Sequence, residues 1–272
     1  MTAPGTQQDL RPSWCRADKF NDVLQASGLS EKGAVRPINE DRFAIDETLQ
    51  VCVIADGMGG HNAGEVAAHT AVDAVFDVLH DPARLGWPFG LDPSLSNGGN
   101  LIRTAICLAN MRVLETAGSS SVYAGMGTTL VVALVAAGRL CVGHIGDSRL
   151  YRLTDGRLRQ LTGDDSWVAT MIANDPRRDS SRLQHHPMGH VLTRVVGRRR
   201  PTEVHVVEEP LAARDRLLLS TDGVHGVLDD RRLESLLLDS NDLAGAAAGI
   251  VRTALARGSR DNCTAVVAEY QP

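Results

Sequence analysis

An α+β sandwich, in which two antiparallel sheets pack face to face with helices outside, is the fold class this sequence predicts. Three observations point there. Short apolar runs bounded by Gly, Asn, Asp or Pro recur along the chain, as strands do. Longer segments with apolar residues at helical spacing fall in pairs between those runs. The dipeptides Ala137-Gly138 and Asp155-Gly156 mark hairpin turns, so neighbouring strands run antiparallel. Paired helices on paired sheets give four layers, an αββα arrangement.

Residues 1–24 are polar, with Pro4 and Pro12, and read as a flexible N-terminal extension; residues 25–272 read as one folded domain. Alternation from Gln25 to Gly33 opens that domain. Phe43 to Ile45 and Val51 to Ala55 read as strands, and Asp56-Gly57-Met58-Gly59-Gly60 breaks the second. Ala63 to His80 is a helix, with Glu65 in the first turn where an acid suits the dipole. Asp81 to Gly99 is rich in Pro, Gly, Asn and Ser and reads as a loop, and Leu101 to Thr116 as the second helix. Thr128 to Val135, Leu140 to Ile145, Leu150 to Leu153 and Leu158 to Leu161 are expected to form one antiparallel meander. Asp164 to Ala173 reads as a short helix. Residues 174–200, with Arg177, Arg178, Arg182, Arg194, Arg198, Arg199 and Arg200, read as an exposed flap. Strands Val204 to Val207 and Arg216 to Ser220, helices Arg231 to Leu238 and Leu243 to Ala256, and a last strand from Cys263 to Glu269 complete the order.

Composition narrows the function. Of 272 residues, 43% are hydrophobic and only 4% aromatic, so the core must be built from Val, Leu, Ala and Ile. A net charge of −5 and a pI near 6.0 disfavour broad binding to nucleic acid or to an anionic membrane. Cys15, Cys52, Cys107, Cys141 and Cys263 are odd in number and lack a Cys-x-x-Cys, which argues against a disulfide framework and against zinc. The N-terminus lacks a signal-peptide layout. The longest apolar run, Leu130 to Ala137, falls far short of the ~20 residues that span a bilayer. A cytoplasmic protein without a membrane anchor is expected.

The chemistry lies in the acids. Three apolar runs end in a Gly-flanked Asp, at Asp56-Gly57, Gly146-Asp147 and Asp222-Gly223; Asp261 precedes the last strand, and Glu40-Asp41 precedes the first clear one. One Asp-Gly alone is a turn. Five such sites on the strands of one sandwich can meet at one rim. Carboxylates crowded there repel and raise one another's pKa unless a cation sits among them. Hard oxygen donors at that density suit Mg²⁺ or Mn²⁺. Two such ions can activate a water and clamp a phosphoryl oxygen. Arg36, just upstream of Glu40, offers a bidentate cation for a phosphate. Rival motifs fail. Gly57-Met58-Gly59-Gly60-His61 lacks the Gly-Lys-Ser/Thr ending of a nucleotide loop. Ser220 and His225 have no Gly-x-Ser-x-Gly elbow. His185, His186 and His190 have no nearby Cys and read as solvated.

In their order, Arg36-Pro37-Ile38-Asn39-Glu40-Asp41, Val53-Ile54-Ala55-Asp56-Gly57-Met58-Gly59-Gly60-His61, Gly125-Met126-Gly127-Thr128-Thr129, Gly146-Asp147-Ser148-Arg149, Ser220-Thr221-Asp222-Gly223-Val224 and Arg260-Asp261-Asn262-Cys263-Thr264 resemble the signatures of bacterial PP2C-type (PPM) metal-dependent serine/threonine protein phosphatases. The likeness runs from about Gln25 to Tyr270. It implies two central antiparallel sheets flanked by helix pairs, and a binuclear Mn²⁺ or Mg²⁺ centre with a third ion in bacterial relatives. By the same resemblance, Asp56 bridges two ions and the Gly57 carbonyl binds one, while Asp222 and Asp261 hold the other. Glu40 and Asp41 ligate or orient metal waters, Asp147 with Asp222 makes the third site, and Arg36 holds the substrate phosphate. The implied reaction is direct hydrolysis of phosphoserine or phosphothreonine on a protein, by a water bridging the metals. The implied partner is a phosphoprotein, a Ser/Thr kinase or its target.

The chain departs from the pattern in places. Met58 stands where animal members carry a His proposed as general acid, leaving His61 or a water for that role. Asp164-Asp165-Ser166 replaces the usual Asp-His-Ser, and Gly189-His190 replaces an Arg-Asn pair in the flap. That flap segment is also reminiscent of phosphatases opposing kinases in type VI secretion. Two other readings are a catalytically dead binding module and a phosphoesterase acting on small molecules.

Overall fold

The structure, a computed structural model, describes residues 23–60, 63–175, 177, 183, 186–200 and 202–272. Residues 1–22 of the expected extension lie outside that set, and Val23 and Leu24 already belong to the first strand. The strands are β1 (Val23–Glu31), β2 (Asp41–Asp46), β3 (Val51–Met58), β4 (Gly127–Thr128), β5 (Leu130–Ala136), β6 (Arg139–Ile145), β7 (Arg149–Thr154), β8 (Arg157–Gln160), β9 (His205–Pro210), β10 (Arg216–Ser220) and β11 (Cys263–Gln271). The helices are α1 (Ala63–His80), α2 (Pro82–Leu85), α3 (Asn97–Ser119), α4 (Trp167–Asn174), α5 (Asp222–His225), α6 (Asp230–Leu238) and α7 (Leu243–Ala256).

The strands form two antiparallel sheets, in the orders β1-β11-β10-β7-β8 and β2-β3-β5-β6-β9, with β4 paired to β3. Period-two alternation sorts each strand's side chains to two buried faces. On β3, Val51, Val53 and Ala55 pack against α1 and α3, while Cys52 and Ile54 face the other sheet. On β11, Cys263, Ala265 and Val267 meet α6 and α7, while Val266, Ala268 and Tyr270 turn inward. The result is four layers, as the sequence predicts. The low aromatic content is met by close approach: Ala67, Ala68, Ala71 and Ala74 of α1 are all fully buried. Cys52, Cys107, Cys141 and Cys263 are buried and unpaired; Cys15 lies outside the described residues. Among the described residues, no helix is long and apolar enough to cross a membrane.

Four expectations need correction. The meander is two hairpins in different sheets: β5-β6 in one and β7-β8 in the other, with the chain crossing between sheets at Gly146–Ser148. Strand β3 runs on through Asp56 and Gly57 to Met58 because β4 pairs with it there. The loop 81–99 holds the short helix α2, and α3 begins at Asn97, where the Ser96 side chain accepts the Gly99 amide at 3.2 Å. Helix α4 starts at Trp167, capped by Ser166, not at Asp164.

Candidate active site

The strand ends deliver the acids to one rim. Asp41 opens β2 directly opposite Asp56 in the β2–β3 register. Asp222 opens α5 just beyond β10, Asp261 lies just before β11, and Asp147 sits in the turn between β6 and β7. A cavity of about 1150 Å³ opens there, lined by Arg36, Glu40, Asp56, Gly57, Asp147, Asp222 and Asp261. Of the predicted set, only Asp41 is not in its wall: it is 8% exposed, behind the others.

Neutral side chains hold this arrangement. Thr129 joins the end of β3 to the turn that carries Asp147: its Oγ1 accepts the Asp56 amide at 2.9 Å and lies 2.7 Å from Ser148 Oγ. The Asp56 carbonyl accepts the Thr129 amide at 2.9 Å and the Thr128 hydroxyl at 2.8 Å. Asp41 Oδ2 accepts the hydroxyls of Thr264 at 2.6 Å and Thr221 at 2.9 Å. Asn262 accepts the Glu40 amide and donates to the carbonyls of Lys32 and Ile38, each at 2.9 Å. Two glycines allow close backbone approach: a Cβ on Gly57 would lie 2.1 Å from the Gly64 carbonyl oxygen, and one on Gly223 would lie 1.9 Å from that of Asn262.

The electrostatics are those of unneutralised crowding. Burial, then the charges of Asp41, Asp222, Asp147 and Asp261, hold Asp56 well above the usual carboxylate range. Burial, then Asp222, pushes Asp147 up to about 7. Burial likewise raises Asp41 to about 7, against the two threonine hydroxyls. Asp222 rises to about 6 through burial and Asp261, with Arg36 and His190 pulling the other way. Burial raises Glu40 too. Glu40 Oε1, Asp41 Oδ1 and Asp222 Oδ1 are buried without a hydrogen-bond partner. Such orphaned acceptors are costly unless a cation completes them. Among the described residues no three His, Cys, Asp or Glu side chains are grouped so as to hold a metal ion by themselves. An open set of hard oxygens fits Mg²⁺ or Mn²⁺, which keep waters in their shells.

The same cavity also carries cations. Arg194, Arg198 and Arg199 line the cavity together with His190. Arg36 Nη2 donates to Asp261 Oδ2 at 2.6 Å, and its guanidinium is half exposed. His186 is exposed, as the sequence leads one to expect, and stacks on Trp167 at 4.6 Å. His61 and His185 lie outside the described residues. Met58 lines the cavity and has no proton to donate.

Three residues that support the site were given no role by sequence reasoning. Asn262 stood inside a recognised motif, and Asp165 stood at a departure from one. Asn110 of α3 accepts the Gly197 amide at 2.8 Å and donates to the Arg199 carbonyl at 2.9 Å, and nothing near it in sequence announces that.

Residues 34–257 match the sequence profile of the family described as protein phosphatase 2C. The chain belongs to the protein phosphatase 2C family. It is 30% identical over 249 residues to a serine/threonine phosphatase, stp, of Listeria welshimeri, covering 90% of this chain and 96% of that one. It is 35% identical over 262 residues to the serine/threonine protein phosphatase PstP of Mycobacterium tuberculosis, covering 91% of this chain and 45% of PstP. The catalytic domain of PstP, solved in complex with two manganese ions, superposes with a TM-score of 0.79 at 30% identity, over 93% of this chain and 100% of that domain. PppA, described as a key regulatory component of the type VI secretion system in Pseudomonas aeruginosa, superposes with a TM-score of 0.75 at 30% identity, over 92% and 100%. Within the protein phosphatase 2C family, then, this chain matches both sequence and fold over almost its whole described length.

Proposed function

We propose that this protein hydrolyses phosphoserine and phosphothreonine on other proteins, using a pair of Mn²⁺ or Mg²⁺ ions, in opposition to a Ser/Thr kinase. The observation that carries the reading is the acidic wall: carboxylates raised by burial and then by one another's charge, with buried oxygens that lack partners. Asp56, Asp222 and Asp261, with the Gly57 carbonyl, are the residues that would hold the ions. Asp147 with Asp222 would hold a third; Glu40, in the cavity wall, and Asp41, behind it, would ligate or orient metal waters. Such ions supply a water of lowered pKa and positive charge against the phosphoryl oxygens.

The chain's own groups do the rest. Arg36 engages Asp261 through one nitrogen only, so its other donors remain for a phosphoryl oxygen. Thr129 fixes the Asp56 backbone, and Asn262 fixes that of Glu40, so the floor is held before substrate arrives. The phosphatase relatives and PppA's regulatory role support a place in kinase signalling.

The test is phosphate release from a phosphothreonine peptide with Mn²⁺, with Mg²⁺ and with chelator. Release that chelator abolishes is expected. Asp222→Ala is expected to lower kcat by about a thousandfold or more, as loss of a group placed for the transition state does. A folded parent protein that releases no phosphate with either metal would overturn the reading, as would Asp222→Ala with parental turnover.

A further inference from the structure

The cavity rim and the turn below it share one buried carboxylate. Asp165 is 6% exposed, and its oxygens serve two different segments. Oδ2 accepts the Gly146 amide at 3.1 Å, and the Asp165 amide in turn donates to the Gly146 carbonyl at 3.0 Å. Gly146 has φ +102°, which a side chain rarely adopts, and it immediately precedes Asp147. Oδ1 faces the other way. It accepts Arg194 Nη1 at 3.0 Å and lies 3.2 Å from His205 Nε2. The Asp165 carbonyl accepts the Thr193 amide at 2.8 Å. Arg194 Nη2 is held further by Glu203 Oε2 at 2.7 Å.

Neighbouring contacts make this pairing directional. Ser166 bridges to Leu192, and the Trp167 amide donates to the Val191 carbonyl at 2.8 Å. Val196 bridges to Thr128, whose hydroxyl holds the Asp56 carbonyl. Residues 191–196, of which 191–195 line the cavity, are thereby tied to the turn that carries Asp147 and to the end of β3 that carries Asp56. A buried carboxylate that accepts from both an amide and a guanidinium fixes geometry through charge-assisted bonds. A histidine at this position, as in the motif from which the chain departs, carries no negative charge and, when neutral, has only one acceptor nitrogen, so it could not accept from both the Gly146 amide and Arg194.

We infer that Asp165 and Arg194 are positioning residues: together they fasten the cavity rim at Thr193–Arg194 to the turn that carries Asp147. The rim so held contacts the protein chain around the phosphorylated residue, whereas a small phosphate ester reaches only the acidic floor. The kinetic part of this inference rests on the phosphatase reading.

The experiment has two arms. Residue-resolved amide hydrogen exchange on the metal-free full chain compares the parent with Asp165→Asn, Asp165→Ala and Arg194→Gln. Asp165→Asn and Arg194→Gln should speed exchange at Thr193 by about tenfold, as loss of a charged hydrogen bond allows, with Gly146 and the core amide of Val267 near parental. Asp165→Ala should speed Gly146 as well; if it does not fold, the other two variants decide. In the kinetic arm, KM for a phosphothreonine peptide should rise about fivefold more than KM for p-nitrophenyl phosphate in Asp165→Asn and Arg194→Gln. Thr193 exchange at the parental rate in both variants overturns the inference, as does an equal change in KM for the two substrates. If the parent hydrolyses neither substrate, the phosphatase reading has failed, and the exchange arm still decides whether the rim is fastened.

Discussion

Asn262 has no charge to offer a ligand, yet its amide meets three backbone segments. It takes the Glu40 amide and gives its two protons to Lys32 and Ile38, and it is 5% exposed. Those contacts set the loop that carries Arg36 and Glu40 against the start of β11, where Asp261 sits. Asn262→Ala leaves two carbonyls and one amide without their partners. Groups orphaned in this way cost about 1–3 kcal/mol each when fully buried. Lys32 is exposed and Ile38 and Glu40 are half-buried, so water replaces part of the loss and a fall of about 2–4 kcal/mol in denaturant-derived stability is expected. Asn262→Asp, which keeps the acceptor for Glu40 but replaces the donors and adds charge to an acidic rim, should fare no better. A substitution to Ala that leaves the urea midpoint within error of the parent would show that the loop is held by something else.

At the scale of elements, local chemistry and long-range packing divide the work. Helix α7 begins where Asp242 accepts the Gly245 amide at 2.7 Å, and removing such a cap costs about 1 kcal/mol. Asp242→Ala should therefore lower thermal stability modestly while leaving phosphatase turnover at 25 °C unchanged, since α7 packs on the sheet face away from the other sheet. A fall in turnover would tie α7 to the site. Caps and breakers of this kind are local, and the bounds of α1, β10 and α7 were legible in the sequence for that reason. The start of α3 was not, because Gly98 and Gly99 read as loop. They are in fact helical and small because a Cβ would lie 2.9 Å from Cys141 Sγ and 2.7 Å from Glu208 Oε1. The assignment of hairpins to sheets was equally illegible. Strands buried on both faces read as apolar runs whichever sheet they join, so nothing marked the crossing at Gly146–Ser148. The acids were legible because Asp56, Asp147 and Asp222 each end an apolar run, and Glu40, Asp41 and Asp261 each stand just before one. The bonds from Asp165 to Arg194 and from Asn110 to Gly197 were not, because they join positions far apart in sequence.

For the whole molecule, the acidic wall should set how stability depends on pH when the ions are removed. A group whose pKa is raised on folding stabilises the fold below its unfolded value, and that contribution is lost as pH rises through the folded value. Asp41 and Asp147, raised to about 7, and Asp56, held higher than usual, lose theirs up to and beyond neutrality. Buried His225 and His144 act in the opposite sense, since burial depresses both, and they add stability as pH rises toward the ordinary histidine value. Their contribution is complete above about 6.5. Glu208 and Glu209, held low through Ser96 and Arg159 respectively, complete theirs near the ordinary carboxylate value. Among the described residues, the window from about 6.5 to 8 is therefore set mainly by the raised aspartates, joined near its top by the four thiols that burial pushes up, which act in the same sense. There the folded state holds protons that the unfolded state has already released. Each such proton corresponds to about 1.4 kcal/mol per pH unit, so chelated protein should lose about 2–4 kcal/mol across the window. Metal binding must displace those protons, so Mn²⁺ should raise the melting temperature more at pH 8 than at pH 6.5. Urea unfolding of chelated protein at both pH values, repeated with Mn²⁺, measures both effects. Metal-free stability that stays level or rises from pH 6.5 to 8 would mean that these carboxylates are neutralised within the protein itself, and that the wall does not store the repulsion on which metal binding would draw.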